Sequence, residues 1–171
     1  YNGLRFTGTR RSNVLRLSGN YTYSRCEGTA TPGSFAQIAS GYTNPDNPEM
    51  DKGHCDQDRK HLANATVGYQ TPEVSNPAVR LFASNWRMSG ILSVRSGAWL
   101  NITTGVDNAL NGQLLQRPNK VSEDVYGLKT LNNYLNRAAF ASPAPGTFGN
   151  LEYRAVEGPV YWAIDMALSR I

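Results

Sequence analysis

The stretch Trp86-Arg87-Met88-Ser89-Gly90-Ile91-Leu92-Ser93-Val94-Arg95 alternates in character along its whole length. Successive side chains of an extended chain point to opposite faces, so Trp86, Met88, Gly90, Leu92 and Val94 share one side and Arg87, Ser89, Ile91, Ser93 and Arg95 the other. One face is apolar and the other mostly polar. What the apolar face meets decides the fold.

The same pattern recurs on both sides of this strand. In the segment His61 to Thr71, Ala63, Ala65, Val67 and Tyr69 oppose Asn64, Thr66, Gly68 and Gln70. Further upstream, Leu15, Leu17, Gly19, Tyr21 and Tyr23 oppose Arg16, Ser18, Asn20, Thr22 and Ser24. From Asn2 to Arg11, Leu4, Phe6 and Gly8 alternate with Arg5, Thr7 and Thr9, and the polar break Arg11-Ser12-Asn13 joins the two runs as a hairpin. Downstream, Val160, Trp162, Ile164, Met166 and Leu168 alternate with Tyr161, Ala163, Asp165, Ala167 and Ser169. Strands of about 9 to 11 residues are long enough to cross a bilayer at a tilt.

The breaks alternate in length. Those at Arg11 to Asn13 and at Thr71 to about Ala83, marked by Pro72 and Pro77, are short. Residues 25–57 are long and polar, with Pro32, Gly33, Gly41, Pro45, Pro48 and Gly53, and are expected to form a loop without a core of its own. A second long loop runs from about Gly97 to Gly158, with apolar patches such as Leu100-Asn101-Ile102 and a candidate helical turn near Leu131 to Phe140.

Composition limits the function. A chain of 171 residues can form one domain, and 16 Gly, 9 Pro and only 18% charged residues favour strands and loops over helices. The net charge of +4 comes from basic residues that are scattered rather than clustered along the sequence, which argues against nucleic acid. No apolar run reaches the roughly 18 residues of a membrane helix, yet a transmembrane barrel stays open because its strands have unremarkable average hydropathy. The chain starts at Tyr1 with no signal-like segment, as expected of a mature product or an excised piece. Two architectures fit the alternation: a barrel in a membrane, or a soluble or surface β-sandwich acting as a binding module. They differ in where Trp86, Leu92, Val94, Trp162 and Ile164 point. The short-turn, long-loop asymmetry suits an outer-membrane barrel, and Arg16, Asn64, Arg87, Arg95 and Asp165 on the polar face suit a wet lumen.

The segments Tyr1-Asn2-Gly3-Leu4, Gly19-Asn20-Tyr21-Thr22-Tyr23-Ser24, Asp58-Arg59-Lys60-His61 and Arg87-Met88-Ser89-Gly90-Ile91 carry a family resemblance. So do Arg117-Pro118-Asn119, Asn136-Arg137-Ala138-Ala139-Phe140, Pro145-Gly146-Thr147-Phe148-Gly149-Asn150, and Gly158-Pro159 with Ile164-Asp165-Met166-Ala167-Leu168-Ser169. Each is weak alone, but in this order they resemble the barrel of TonB-dependent outer-membrane receptors, in the branch with an N-terminal carboxypeptidase-regulatory-like domain. The resemblance implies an all-β fold, an antiparallel segment of a large transmembrane β-barrel of about 22 strands with long extracellular loops and a plugged lumen. It implies the bacterial outer membrane as location, and uptake of a small-molecule, sugar or peptide nutrient. Its implied partners are the lipid bilayer, the remaining barrel and plug, and TonB. Five strands are fewer than the roughly eight of the smallest transmembrane barrels, so residues 1–171 are expected to be the late strands of one barrel domain, with plug and remaining strands elsewhere.

Within that frame, Cys26 and Cys55 stand at the two feet of the first long loop, and an oxidising compartment favours a disulfide between them over two free thiols. A metal site from Cys26, His54, Cys55 and His61 is disfavoured, because adjacent His54-Cys55 is not a usual zinc spacing. Asp107-Asn108-Ala109-Leu110-Asn111-Gly112 lacks the alternating acidic ligands of a calcium loop and reads as a polar turn. Asp51, Asp56 and Asp58 are expected to be solvated or paired with Arg59 or Lys60. No nucleophile, base and orienting acid come together in the sequence, so neither an enzyme nor a cofactor is expected. Tyr69 and Trp86 near the short-turn rim, with Tyr21, Tyr23 and Trp162 near the long-loop rim, are candidates for two membrane girdles. Arg87, Arg95 and Asp165 are the lumen-facing candidates, the arginines expected to pair with carboxylates of the plug or of neighbouring strands rather than to guide an anionic substrate.

Overall fold

The computed structural model describes residues 1–29, 42–73 and 75–170, and the side chain of Leu81 is not among them. Pro32, Gly33 and Gly41 of the first long loop lie outside the described residues. In chain order, β1 (Asn2–Arg11) and β2 (Leu15–Arg25) form a hairpin, and β3 (Glu27–Thr29) and β4 (Lys52–His54) a short ribbon. β5 (His61–Gln70) and β6 (Trp86–Arg95) follow, with helix α1 (Pro77–Ala83) between them. The second loop holds β7 (Trp99–Leu100), β8 (Asn119–Lys120), β9 (Tyr126–Thr130), β10 (Asn133–Leu135), β11 (Phe140–Ala141) and β12 (Val156–Glu157), before β13 (Tyr161–Arg170).

The five long strands form one antiparallel sheet in the order β1-β2-β5-β6-β13, so the alternating segments are strands as the sequence predicts. Their registers are mutually consistent. Phe6, Tyr21, Ala63, Val94 and Trp162 lie in one row across all five strands, and Gly8, Gly19, Ala65, Leu92 and Ile164 in another. Because a slip of one residue would move a strand's apolar set to the wrong face, this continuity requires the five patterns to be in phase. They are. Gly90 keeps the row beside Val67 close-packed, since a Cβ there would come within 3.2 Å of Val67 Cγ1.

Among the described residues, the apolar face is not enclosed between two sheets. Trp162, Ile164 and Leu92 are 67%, 55% and 39% exposed, while Trp86 and Val94 are half-buried. A sandwich would remove these side chains from solvent. In its place the sheet presents an exposed, continuous apolar surface.

The short connections are built locally. Ser12 N donates to Leu15 O at 2.7 Å, and Leu15 N to Ser12 Oγ at 3.1 Å, closing the first hairpin. Where the sequence reading expects a plain break after β5, α1 begins instead, with Asn76 Oδ1 accepting from Ala78 N and Pro77 opening the helix. Asn-Pro is a helix start as well as a turn signal, and here the helix wins.

The described parts of the two long loops form a second compact unit. The first loop builds no core of its own, as expected, but shares one with the second loop. The buried hydrophobic residues among those described, Ala139, Leu151, Tyr153 and Val156, all come from the second loop, and the first contributes fully buried Asp51. Gly53 bridges in parallel to Tyr153, and a Cβ at Gly53 would overlap the Tyr153 carbonyl. The expected helical turn near Leu131 to Phe140 is confined to a 3-10 turn at Arg137–Ala139. Leu131 and Asn132 instead form the two-residue turn of the β9–β10 hairpin, where Thr130 pairs with Asn133.

Candidate functional site: two faces of a sheet and a pinned loop foot

Alternation in the strands, made continuous by the register, separates two surfaces. On the polar face, Arg87 pairs with Gln70 and Ser169 across its neighbours, Arg95 with Leu62 and Tyr161, and Asp165 with Ile91. The three lumen candidates therefore share one face, and all three are exposed. Asp165 lies four positions along β13 from the partners of both arginines, about 13 Å at strand rise. The expected pairing with a neighbouring-strand carboxylate is therefore not formed inside this sheet. Arg95 stacks over the Tyr161 ring at 4.3 Å. Ser18 Oγ and Thr66 Oγ1 meet at 2.5 Å, and Asn64 Nδ2 donates to Asn20 Oδ1 at 3.3 Å, knitting β2 to β5 with hydroxyls and amides. The register adds Arg5 and Arg11 to this face opposite Thr22 and Arg16; the sequence reading sets Arg5 on the polar side of β1 but names neither as a lumen candidate. Their position in the alternation of β1 was the available signal.

On the apolar face the aromatic residues collect at the two ends. Tyr21 and Trp162 occupy one row, and Tyr23 lies in the next row outward opposite His61. Tyr21 OH bonds His61 Nδ1 at 2.7 Å, and the Tyr23 ring lies 5.4 Å from the His61 ring. At the other end Tyr69 pairs with Leu15 and Met88, and Trp86 with Arg170. Trp86 Nε1 donates to Phe82 O at 2.7 Å, so α1 holds the indole in place. A ten-residue strand is about 33 Å long and, tilted about 40°, spans about 25 Å, the height of an outer-membrane apolar band.

In the loop unit, Cys26 and Cys55 form a disulfide with Cα atoms 5.4 Å apart. The β3–β4 ribbon lies inside the disulfide-closed loop, and Cys55 N donates to Cys26 O. Both sulfurs are committed to each other, and the histidines face other partners. His54 Nδ1 bonds Asp58 Oδ2 at 2.8 Å and its ring stacks flat on Trp99 at 3.5 Å. Of the three acidic residues Asp51, Asp56 and Asp58, Asp51 and Asp58 are buried, more deeply built in than expected, whereas Asp56 stays exposed. Asp51 is fully buried and meets Arg117 Nη1 at 2.6 Å, Asp58 accepts from Cys26 N at 3.1 Å, and Asp56 pairs with Arg154 at 3.0 Å. Arg117 also donates to Met50 O and Leu151 O, so one guanidinium joins three backbone segments. Sequence reasoning noted Arg117 only within a motif; its partner is 66 residues away and left no local sign.

The Asp107 turn is polar, as expected. Its carboxylate accepts from Asn111 N, Gly112 N and Gln116 Nε2. Partial desolvation works to raise the Asp107 pKa, but the hydrogen bonds from the Gly112, Asn111 and Leu110 backbone and from Gln116 outweigh it and hold the carboxyl below its ordinary value.

Across residues 1–171, the whole chain matches a family model described as Outer membrane beta barrel domain. No curated protein matches the chain, and no solved structure does.

Proposed function

The chain belongs to the outer membrane β-barrel domain family and resides in the bacterial outer membrane, and from that premise we propose that it is an arc of a TonB-dependent receptor that takes up a nutrient. On this reading the apolar face of β1, β2, β5, β6 and β13 meets lipid, the polar face lines the lumen, and the long loops are extracellular. The remaining strands and a plug complete the barrel, since five strands are fewer than the roughly eight that close one. The observation that carries the reading is the in-phase apolar face across all five strands, exposed to its surroundings and paired with a polar face opposite. A barrel in lipid needs that surface, and a soluble sheet would have to cover it.

The mechanism uses no covalent chemistry. Loops held by the disulfide and the Asp51–Arg117 pair would capture substrate outside, and the polar wall would guide it through once the plug moves. The reading is tested with the full-length gene product in intact cells. Uptake that stops on deletion of TonB or on addition of an uncoupler, while surface binding persists, supports an energised receptor. Uptake that survives both treatments would make the protein a passive porin.

A further inference from the structure

The polar face is strongly unbalanced in charge. Arg5, Arg11, Arg16, Arg87 and Arg95 lie on it, against the single carboxylate Asp165. Three of these arginines gather at the short-turn end. Arg11 stands directly opposite Arg16, a like-charge cross-strand pair that disfavours the hairpin unless an anion neutralises it. Arg16 is level with Gly68, and Gly68 with Ser89, so the glycine leaves a gap between an arginine and a serine. Arg87 lies one step further toward the turn, opposite Gln70. Arg16, Gly68, Gln70, Arg87 and Ser89 line a cleft of about 240 Å³. None of Arg11, Arg16 and Arg87 forms an ion pair with the described residues.

We propose that this cleft binds an oxyanion, a phosphate, sulfate or carboxylate group carried by the transported molecule, and so forms an anion-selective station at the short-turn end of the pore. The proposal rests on the lumen reading above and narrows the substrate class to anionic molecules. Its chemistry is that of a guanidinium pair. Arg16 and Arg87 supply planar, permanently charged donors from two sides, Ser89 adds a hydroxyl and Gln70 an amide, and Gly68 keeps the floor open. The cleft is smaller than the roughly 300 Å³ of the smallest drug-sized pockets, so it fits a single anionic group rather than a folded segment.

The test uses the purified full-length protein in zwitterionic detergent, with inorganic phosphate and citrate as probes, read by phosphorus NMR line broadening and by calorimetry. Wild type is expected to bind both saturably, and the R16Q/R87Q variant to lose about tenfold or more in affinity per arginine. R10Q, on the opposite face, is expected to leave binding unchanged, and all three proteins should keep the heat-modifiable mobility of a folded barrel. Equal binding by wild type and R16Q/R87Q, or no saturable binding, overturns the proposal. So does tighter binding to phosphatidylglycerol in mixed micelles than to free phosphate, which would make the cluster a lipid headgroup site. A separate arm isolates the underlying reading: S93C, on the same face but outside the cleft, should react with a water-soluble maleimide in vesicles. Labelling of S93C together with no phosphate binding by wild type rejects the anion site alone, whereas unlabelled S93C rejects the lumen.

Discussion

Two residues illustrate how the loop unit is held. Asp51 and Arg117 are both buried, and removing either leaves an uncompensated charge where water cannot reach it. D51A is expected to cost the loop unit about 3 to 5 kcal/mol, because breaking a buried pair is far more damaging than replacing it whole. Hydrogen exchange at Thr43 and Leu151 amides would register the loss, with D51A/R117M recovering part of it. Asp107 contributes an acid-sensitive element to the unit. Its carboxyl is held below the ordinary value of 3.8, so its stabilisation is complete above that pH and is lost as pH falls through the lower folded value. Exchange of the Gly112 amide should therefore accelerate with acidification beyond the intrinsic trend, and D107N should abolish that excess. These residues were the least legible in sequence. Asp51 looks like any loop carboxylate until Arg117 arrives from 66 positions away.

Strands were legible because their information is local. A period of two survives whatever the strand pairs with, so β6 could be read from Trp86 to Arg95 and found with those same bounds. The register was not local, yet it followed from the need to keep five apolar faces in phase. Helix α1 escaped although Asn76-Pro77 announced it, because seven residues between two prolines and a strand also resemble a turn. The two faces should respond oppositely to charge. Leu92→Arg, on the apolar face, is expected to cost about 2 to 4 kcal/mol in lipid, while Ser93→Arg on the polar face should be tolerated. Urea titrations of the full-length protein folded into vesicles would separate them. The disulfide acts on a different element. Closing a loop of 29 residues is worth about 3.5 kcal/mol by the chain-entropy relation, so C26S/C55S should loosen the β3–β4 ribbon. Limited proteolysis should then cut near Cys55 while β2 and β5 stay protected.

At the scale of the whole molecule, the sheet has two open edges, since β1 and β13 each have one strand neighbour. Edges of ten residues invite further pairing, and in the outer membrane a closed barrel alone satisfies them. The central claim is that the continuous apolar face of this sheet meets lipid. Nitroxide labels placed singly at Val67, Leu92 and Ile164, and at Thr66, Ser93 and Ala163, in the full-length protein reconstituted into vesicles test it most directly. The first set should be accessible to oxygen and shielded from a water-soluble nickel chelate, and the second set should show the reverse. Loss of that alternation, with both sets reached equally by the chelate or both shielded from oxygen and chelate alike, would contradict the account.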